Sequence, residues 1–105
     1  MKKLLFVVFL FNANFAFADA SVEQMSTCTM TNFVASKRYE AVGNTQMKNK
    51  YFSESQYWLH TGESKFGEST FGQKIKIVGP SAMASSDAEL TQINKNCAVL
   101  KSSIR

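Results

Sequence analysis

Few residues of this chain have the type and spacing that enzyme chemistry requires. The sequence has one histidine, His60, so any Ser–His or Cys–His nucleophilic mechanism has to use it. His60 stands two residues before Gly62, at the predicted end of a helix, where a histidine is common without a catalytic role. The chain has neither a G-x-S-x-G elbow nor the phosphate-binding spacing G-x-x-x-x-G-K. The sequence therefore predicts a protein that is not an enzyme and that uses no cofactor.

The two cysteines, Cys28 and Cys97, predict a structural disulfide bond. An even number of cysteines in a small exported chain is typical of such a bond. The alternatives are two free buried thiols or a redox pair, but the chain has no C-x-x-C motif. Two cysteines and one histidine also fall short of the four ligands of a zinc site, so no metal site is predicted.

Residues 1–18 have the three parts of a cleaved secretory signal peptide. A basic start (Met1-Lys2-Lys3) is followed by the apolar run 4–11 and by small residues at Ala16 and Ala18. A membrane-spanning helix needs about 20 apolar residues, and this run is much shorter. We expect cleavage after Ala18, or alternatively after Ala20, and a periplasmic product with no stable membrane anchor. A buried N-terminal helix or strand is the alternative interpretation.

The expected mature chain, residues 19–105, is long enough for one domain. The whole sequence has 12 Lys and Arg against 8 Asp and Glu. Lys2 and Lys3 leave with the signal peptide, so the mature domain carries a net charge of about +2. Its basic residues are scattered along the chain, whereas nucleic-acid binding needs a clustered basic face. We therefore expect protein partners and no nucleic acid.

Helices are expected to position these residues. The first helix should hold Cys28, with Ser26 or Thr27 as its N-cap, and should end before Gly43-Asn44. The second should run from about 45 to 60, with Met47, Tyr51 and Trp58 on one face, and should end at Gly62. Residues 62–80 contain four glycines and the only proline, which favours a loop with one extended segment at 73–78.

The closing helix has the clearest sequence signals. Ser86 and Glu89 form a capping box, in which each side chain can bond to the backbone of the other residue. Apolar residues then follow at intervals of 3, 4, 3 and 4, and they form one core-facing stripe: Leu90, Ile93, Cys97, Leu100 and Ile104. The predicted fold is therefore a mainly α, single-domain helical bundle. A disulfide joins its first and last helices, and a Gly-rich loop occupies the middle.

Three aromatic residues are the candidates for binding a partner. Trp58, Phe66 and Phe71 stand on or beside the Gly-rich segment, where aromatic side chains can anchor a partner protein. The structural alternative is that Trp58 belongs to the core and that the two phenylalanines hold the loop over it.

The arrangement of these motifs resembles the HdeA/HdeB-like family of small periplasmic helical proteins. Thr27-Cys28 followed by Phe33 is similar to the opening of that pattern, and Tyr57-Trp58-Leu59 with Gly62 to its central helix. Residues 87–90 leading to Cys97 are similar to its closing helix. The resemblance covers most of residues 27–105 and implies an acid-stress chaperone that holds unfolded proteins.

An immunity or inhibitor protein is the alternative function. Such a protein would block a toxin or a cell-wall hydrolase in the periplasm. It would have the same general features: small size, export, one disulfide and no catalytic motif.

Overall fold

The computed structural model describes residues 20–104, and four α-helices account for nearly all of them. The helices are α1 (Val22–Ala41), α2 (Thr45–Phe66), α3 (Glu68–Met83) and α4 (Asp87–Ser103), and no strand occurs within the described range. Connections of one to three residues join them. The predicted all-helical, single-disulfide fold is confirmed. The predicted signal peptide, residues 1–18, lies outside the described residues.

α1 is the central helix and packs against each of the other three. Because it is covered on most sides, many of its buried residues are polar: Gln24, Ser26, Thr27, Thr29, Thr31, Asn32 and Ser36. Several of these side chains bond to carbonyl groups one turn back in α1 itself, as Thr29 does to Met25 at 2.8 Å. Others reach α2, where the Ser36 hydroxyl donates to the Lys48 carbonyl at 2.9 Å. Polar side chains therefore fill much of the interior around α1, and apolar side chains fill correspondingly less of it.

α1 begins earlier than the sequence analysis placed it. The N-cap is Ser21, whose Oγ accepts from the Gln24 amide at 3.0 Å, while the Ser21 amide donates to Gln24 Oε1 at 2.9 Å. The predicted caps Ser26 and Thr27 are wrong, since both lie buried inside the helix. The first turn carries few apolar residues, so hydrophobic periodicity alone did not mark its start. The Ser-x-x-Gln capping box was the signal that could have marked it.

α2 continues past the predicted end at Gly62 to Phe66. Gly62 is a buried residue inside the helix, and the helix ends instead at Gly67. Gly67 has a φ of 90°, a backbone conformation that glycine adopts without the steric cost of a Cβ atom. The close contact that requires glycine at position 62 is described below.

α3 replaces the loop predicted for residues 62–80, and its residues 73–78 are helical rather than extended. Phe71, Gly79 and Ala82 are its buried residues, and their spacing places them on one helical face. Pro80 lies in the last turn of the helix. The glycines and the proline have low helix propensity, which is why the sequence predicted a loop. Burial of this face against α1 and α2 stabilises the helix in spite of that low propensity.

α4 agrees with the prediction. The Glu89 amide donates to Ser86 Oγ at 3.1 Å, and the Ser86 amide donates to Glu89 Oε1 at 2.8 Å. Ile93, Cys97 and Leu100 are buried in one apolar cluster, and Ile104 is partly buried against it. Leu90 is buried in a second cluster, with Val34 and Ala82. The Cys28–Cys97 disulfide joins α1 to α4 across a Cα–Cα distance of 5.8 Å, within the usual range for a disulfide.

Candidate functional site

The predicted partner-binding aromatics lie in or beside the core. Trp58 and Phe71 are both 0% exposed. Phe66 is partly buried and packs against the same apolar cluster. In this closed conformation Trp58 and Phe71 offer no surface to another protein, so a partner reaches them only after helices separate. Their proposed role in binding stays a prediction.

Phe71 docks α3 onto α2 through Gly62. A Cβ atom at position 62 would lie far inside van der Waals distance of ring atoms Cε1 and Cζ of Phe71, so the ring lies directly against the glycine backbone. Glycine is the one residue that leaves room for this contact. The close approach brings the Phe71 ring into the cluster that also contains Trp58.

The disulfide belongs to the same buried cluster as these aromatic rings. Cys28 and Cys97 lie in it together with Met25, Ile93 and Leu100. The Tyr57 ring meets the Trp58 ring edge-on at a centroid distance of 5.1 Å. Trp58 Nε1 is buried without a hydrogen-bond partner among the described residues, and such an unpaired donor disfavours the closed state.

Within residues 20–104, three ion pairs connect different helices. Glu23 of α1 pairs with Lys74 of α3 at 3.0 Å, and Glu54 of α2 pairs with Lys101 of α4 at 3.1 Å. The third pair joins α1 to α4 over 2.8 Å and consists of Arg38 and Asp87. Each pair requires an ionised carboxylate, so acid removes all three. Each is also partly or fully exposed to solvent, which limits its individual contribution at neutral pH.

Glu23 is the carboxylate whose ionisation is most clearly linked to the fold. Its hydrogen bond to Lys74 lowers the pKa of Glu23, and burial opposes this effect only in part. A folded-state pKa below the unfolded value stabilises the protein at pH values above about 4.3, the ordinary pKa of glutamate. That contribution is lost as the pH falls through the folded-state pKa of Glu23.

The Glu23→Gln variant should therefore be slightly less stable than the wild type at pH 7, by no more than about 1 kcal/mol. The difference should shrink as the pH falls below about 4.3, because protonation removes the same charge from the wild type. Urea unfolding at pH 7 and at pH 4, above the pH at which the bundle is proposed to open, measures both values. Glu40→Gln is the matched control, since Glu40 pairs only within α1, with Lys37. A constant difference between wild type and Glu23→Gln across this pH range would contradict the prediction.

The remaining chemistry-bearing residues are dispersed. His60 is exposed on α2, and both cysteines are in the disulfide. Within residues 20–104 no group of three or more His, Cys, Asp or Glu side chains could hold a metal ion. The absence of enzymatic activity stays a prediction.

An apolar groove on α1 is a feature that the sequence analysis missed. It has a volume of about 310 Å³ and runs along the outer face of the second half of α1, beside the end of α3. Its walls include Met30, Phe33 and Val34 of α1 and Met83 of α3, which is 67% exposed. The signal was present as apolar residues at 30, 33 and 34 on one side of a helix, but such a pattern does not show whether that side faces the core or the solvent.

The helices of the described range, residues 20–104, are too short or too polar to cross a membrane. Comparisons of the chain with family models, with curated proteins and with solved structures found no match.

Proposed function

We propose that this protein is a periplasmic holdase that acid activates, of the HdeA/HdeB-like kind. The observation that carries the proposal is the combination of acid-sensitive contacts between helices with a covalent bridge that acid does not break. The three ion pairs depend on Glu23, Glu54 and Asp87. The disulfide joins α1 to α4 whatever the pH.

Acid acts on the whole domain as well as on these pairs. Below about pH 3 the 8 carboxylates become neutral and His60 is charged, so the net side-chain charge of residues 19–105 rises from about +2 to about +11. Self-repulsion of that charge favours an expanded state. The polar interior around α1 offers less apolar burial to oppose the expansion.

Expansion would expose the residues that can hold an unfolded client. α2 and α3 both lie within the loop that the disulfide closes, and they carry Trp58, Phe66 and Phe71. Separation of α3 from α2 would expose the Phe71 ring and open the buried cluster that also contains Trp58. Acid-expanded states of this kind expose apolar surface while they retain helices. The bridge would limit how far the chain disperses.

The test follows the purified, oxidised mature chain from pH 7 to pH 2. Near-UV circular dichroism reports tertiary structure, a hydrophobic dye reports exposed apolar surface, and light scattering reports the aggregation of an acid-unfolded client. The proposal expects a reversible loss of tertiary signal near pH 3, with dye binding and client protection rising together. A bundle that stays closed at pH 2, or opens without protecting the client, would contradict it.

A variant of the surface tests whether the client binds to the opened core or to the surface of the closed bundle. Ile77 and Met83 are the most exposed apolar side chains of α3, at 66% and 67%. The Ile77→Ser/Met83→Ser double variant should protect the client at pH 3 as well as the wild type does, because the buried aromatics are unchanged. Loss of protection in this variant would assign the activity to the surface instead.

The second candidate function, an immunity or inhibitor protein, is favoured by the apolar groove on α1. This groove is open in the closed bundle, so a partner could bind it at neutral pH without any opening. A pull-down at pH 7 from periplasmic extract should then recover one partner in stoichiometric amount. A Met30→Glu/Phe33→Glu variant should lose that partner and retain acid-induced client protection.

A further inference from the structure

A cleft runs between α2 and α4, with residues of α1 beneath it. α2 and α4 both pack against α1 but make little contact with each other. Two cavities of about 170 Å³ and 270 Å³ lie in this cleft. They share two lining residues, Tyr51 of α2 and Asn94 of α4, so they adjoin each other. Of the residues that line the cleft, only Arg38 also lines the apolar groove on α1.

The cleft is long, which favours an extended occupant. Its lining residues on α4 recur at helical spacing: Asp87, Thr91, Asn94, Ala98 and Lys101. From the first to the last of these, α4 rises by about 20 Å, which is the length of about six residues of extended chain. A helix of that length and about 10 Å in diameter occupies roughly 1,600 Å³. Because this volume is much larger than that of the two cavities, the cleft suits an extended segment better than a helix.

The larger cavity has an excess of positive charge. Three lysines and one glutamate line it, and Lys101 pairs with Glu54. Lys50 of α2 and Lys95 of α4 pair with no carboxylate within residues 20–104. An occupant of the cavity therefore meets positive charge from both helices. Charge complementarity of this kind favours a segment that carries carboxylates.

Asn94 lines both cavities and has a hydrogen-bond acceptor without a partner. The residue is 8% exposed, and its Oδ1 is buried with no donor within residues 20–104. Its Nδ2 donates to the Thr31 carbonyl at 3.4 Å, a long and therefore weak bond. The terminal torsion of an asparagine is broad, so the carboxamide can rotate toward an occupant. A backbone N–H of an extended chain would then supply the donor that Oδ1 lacks.

We propose that this cleft binds an extended, acidic segment of a partner protein at neutral pH. A carboxylate side chain of the segment lies between Lys50 and Lys95, and a backbone amide donates to Asn94 Oδ1. The stacked rings of Tyr39 and Tyr51, with centroids 5.6 Å apart, line the smaller cavity and contact a neighbouring side chain. The site belongs to the closed bundle, so it does not depend on the acid activation proposed above.

The test is fluorescence anisotropy of a dye-labelled hexapeptide in which glutamate alternates with valine. It is titrated at pH 7 with the oxidised chain of residues 19–105, and a hexapeptide with glutamine in place of glutamate is the neutral comparison. The acidic peptide should bind about tenfold more tightly than the neutral one at about 20 mM salt. This preference should shrink at about 500 mM salt, because exposed charges are then screened. Equal binding of the two peptides, or no binding of either, would overturn the inference.

The Lys95→Gln variant tests the charge of the cleft, with Lys76→Gln as its matched control. Lys76 is also exposed, but it lies on α3 and lines neither cavity. Lys95→Gln should weaken binding of the acidic peptide about threefold, as the loss of one exposed charge pair does. Binding of the neutral peptide should not change, and Lys76→Gln should affect neither peptide. Equal effects of the two variants would show that only the net charge of the domain matters, which would overturn the site.

The hydrogen bond to Asn94 is tested from both sides. Asn94→Leu should weaken the binding of both peptides by about five- to tenfold, because it removes the acceptor. N-methylation of the central amides of the acidic peptide should weaken its binding to the wild type by a similar factor, because it removes the donor. The methylated peptide keeps this test valid if Asn94→Leu does not fold. Binding that neither change weakens would overturn the role of Asn94.

Two further measurements test the place and the class of the occupant. On titration with the acidic peptide, the NMR signals of Tyr51 and Asn94 should shift, and those of Met30 and Phe33 should not. Shifts confined to Met30 and Phe33 would place the peptide in the apolar groove and overturn the inference. Inorganic polyphosphate should displace the peptide only weakly. Displacement by polyphosphate at lower concentrations than by unlabelled peptide would assign the cleft to polyanions instead.

Discussion

The Gly62→Ala variant should lose about 3 kcal/mol of its free energy of unfolding, at the upper end of the range for overpacked cores. The new Cβ atom would clash with two Phe71 ring atoms, Cε1 and Cζ. Phe71 is 0% exposed, so its ring has no open space to move into without displacing other core residues. We therefore expect α3 to shift away from α2, with a loss of tertiary contacts around Trp58. Helix propensity acts in the opposite direction, since alanine is favoured over glycine by only about 1 kcal/mol.

The control is Gly72→Ala, one residue beyond Phe71 in α3. A Cβ atom at Gly72 meets no other atom within 4 Å, so only the propensity gain remains and the variant should be as stable as the wild type or slightly more stable. Urea unfolding followed by the fluorescence of Trp58, the only tryptophan, measures all three proteins. Adding Phe71→Leu to Gly62→Ala should cost less than the sum of the two single changes, because the smaller side chain relieves the clash. Equal stability of Gly62→Ala and Gly72→Ala would contradict the proposed contact.

The closing helix shows the conditions under which the sequence alone predicts a helix and its buried face correctly. α4 has a complete capping box at Ser86 and an apolar stripe on one face, and both local signals agree with its position in the bundle. The disulfide could be predicted for a related reason. Cys97 lies within that stripe, so its sulfur had to point toward the core, where Cys28 was the only available partner. Here propensity, periodicity and tertiary structure favour the same answer.

α3 shows why the rest of the fold could not be read from local signals. Gly72, Gly79 and Pro80 each disfavour a helix, and the alternating residues 73–78 resemble a strand. The segment is helical because burial of Phe71, Gly79 and Ala82 against α1 and α2 outweighs these preferences. Part of that burial is the contact of Phe71 with Gly62, a contact between two helices that no local pattern contains. The same contact explains why Gly62 does not end α2. A glycine that serves a close approach and a glycine that ends a helix are indistinguishable in a single sequence.

The sequence identified the aromatic residues of the candidate site, but it did not show whether each of them is buried or exposed. Trp58, Phe66 and Phe71 were singled out from sequence, and the structure places two of them in the core. The ion pairs between helices could not be foreseen, because their partners lie far apart in the chain, as Glu54 and Lys101 do. Such pairs depend on how the helices meet, and scattered charges in a sequence carry no information about that.

Removal of the disulfide should have the largest effect of all on stability. The Cys28→Ala/Cys97→Ala variant frees a loop of 69 residues, for which the chain-entropy argument gives a loss of about 4 kcal/mol. This corresponds to a rise of about a thousandfold in the unfolding equilibrium constant. Small domains have a net stability of about 5–15 kcal/mol, so the loss removes a large part of the stability, and a domain near the lower end of this range would show a detectable unfolded fraction. Urea unfolding of the variant against the oxidised wild type measures the loss, and reduced wild type serves as the control for the substituted side chains.

The same variant tests what the bridge does for the proposed activity. In the wild type, α2 and α3 lie inside the closed loop, so the aromatic residues they carry stay within reach of one another when acid separates the helices. Without the bridge the chain should expand further at pH 3, as measured by small-angle scattering, and its protection of a client should fall even though the same side chains are exposed. A stability within about 1 kcal/mol of the wild type would contradict the entropic role of the bridge. Undiminished client protection would show instead that exposure of the aromatic residues is enough to hold a client. The Cys28–Cys97 bridge would then stabilise the closed state without contributing to client binding.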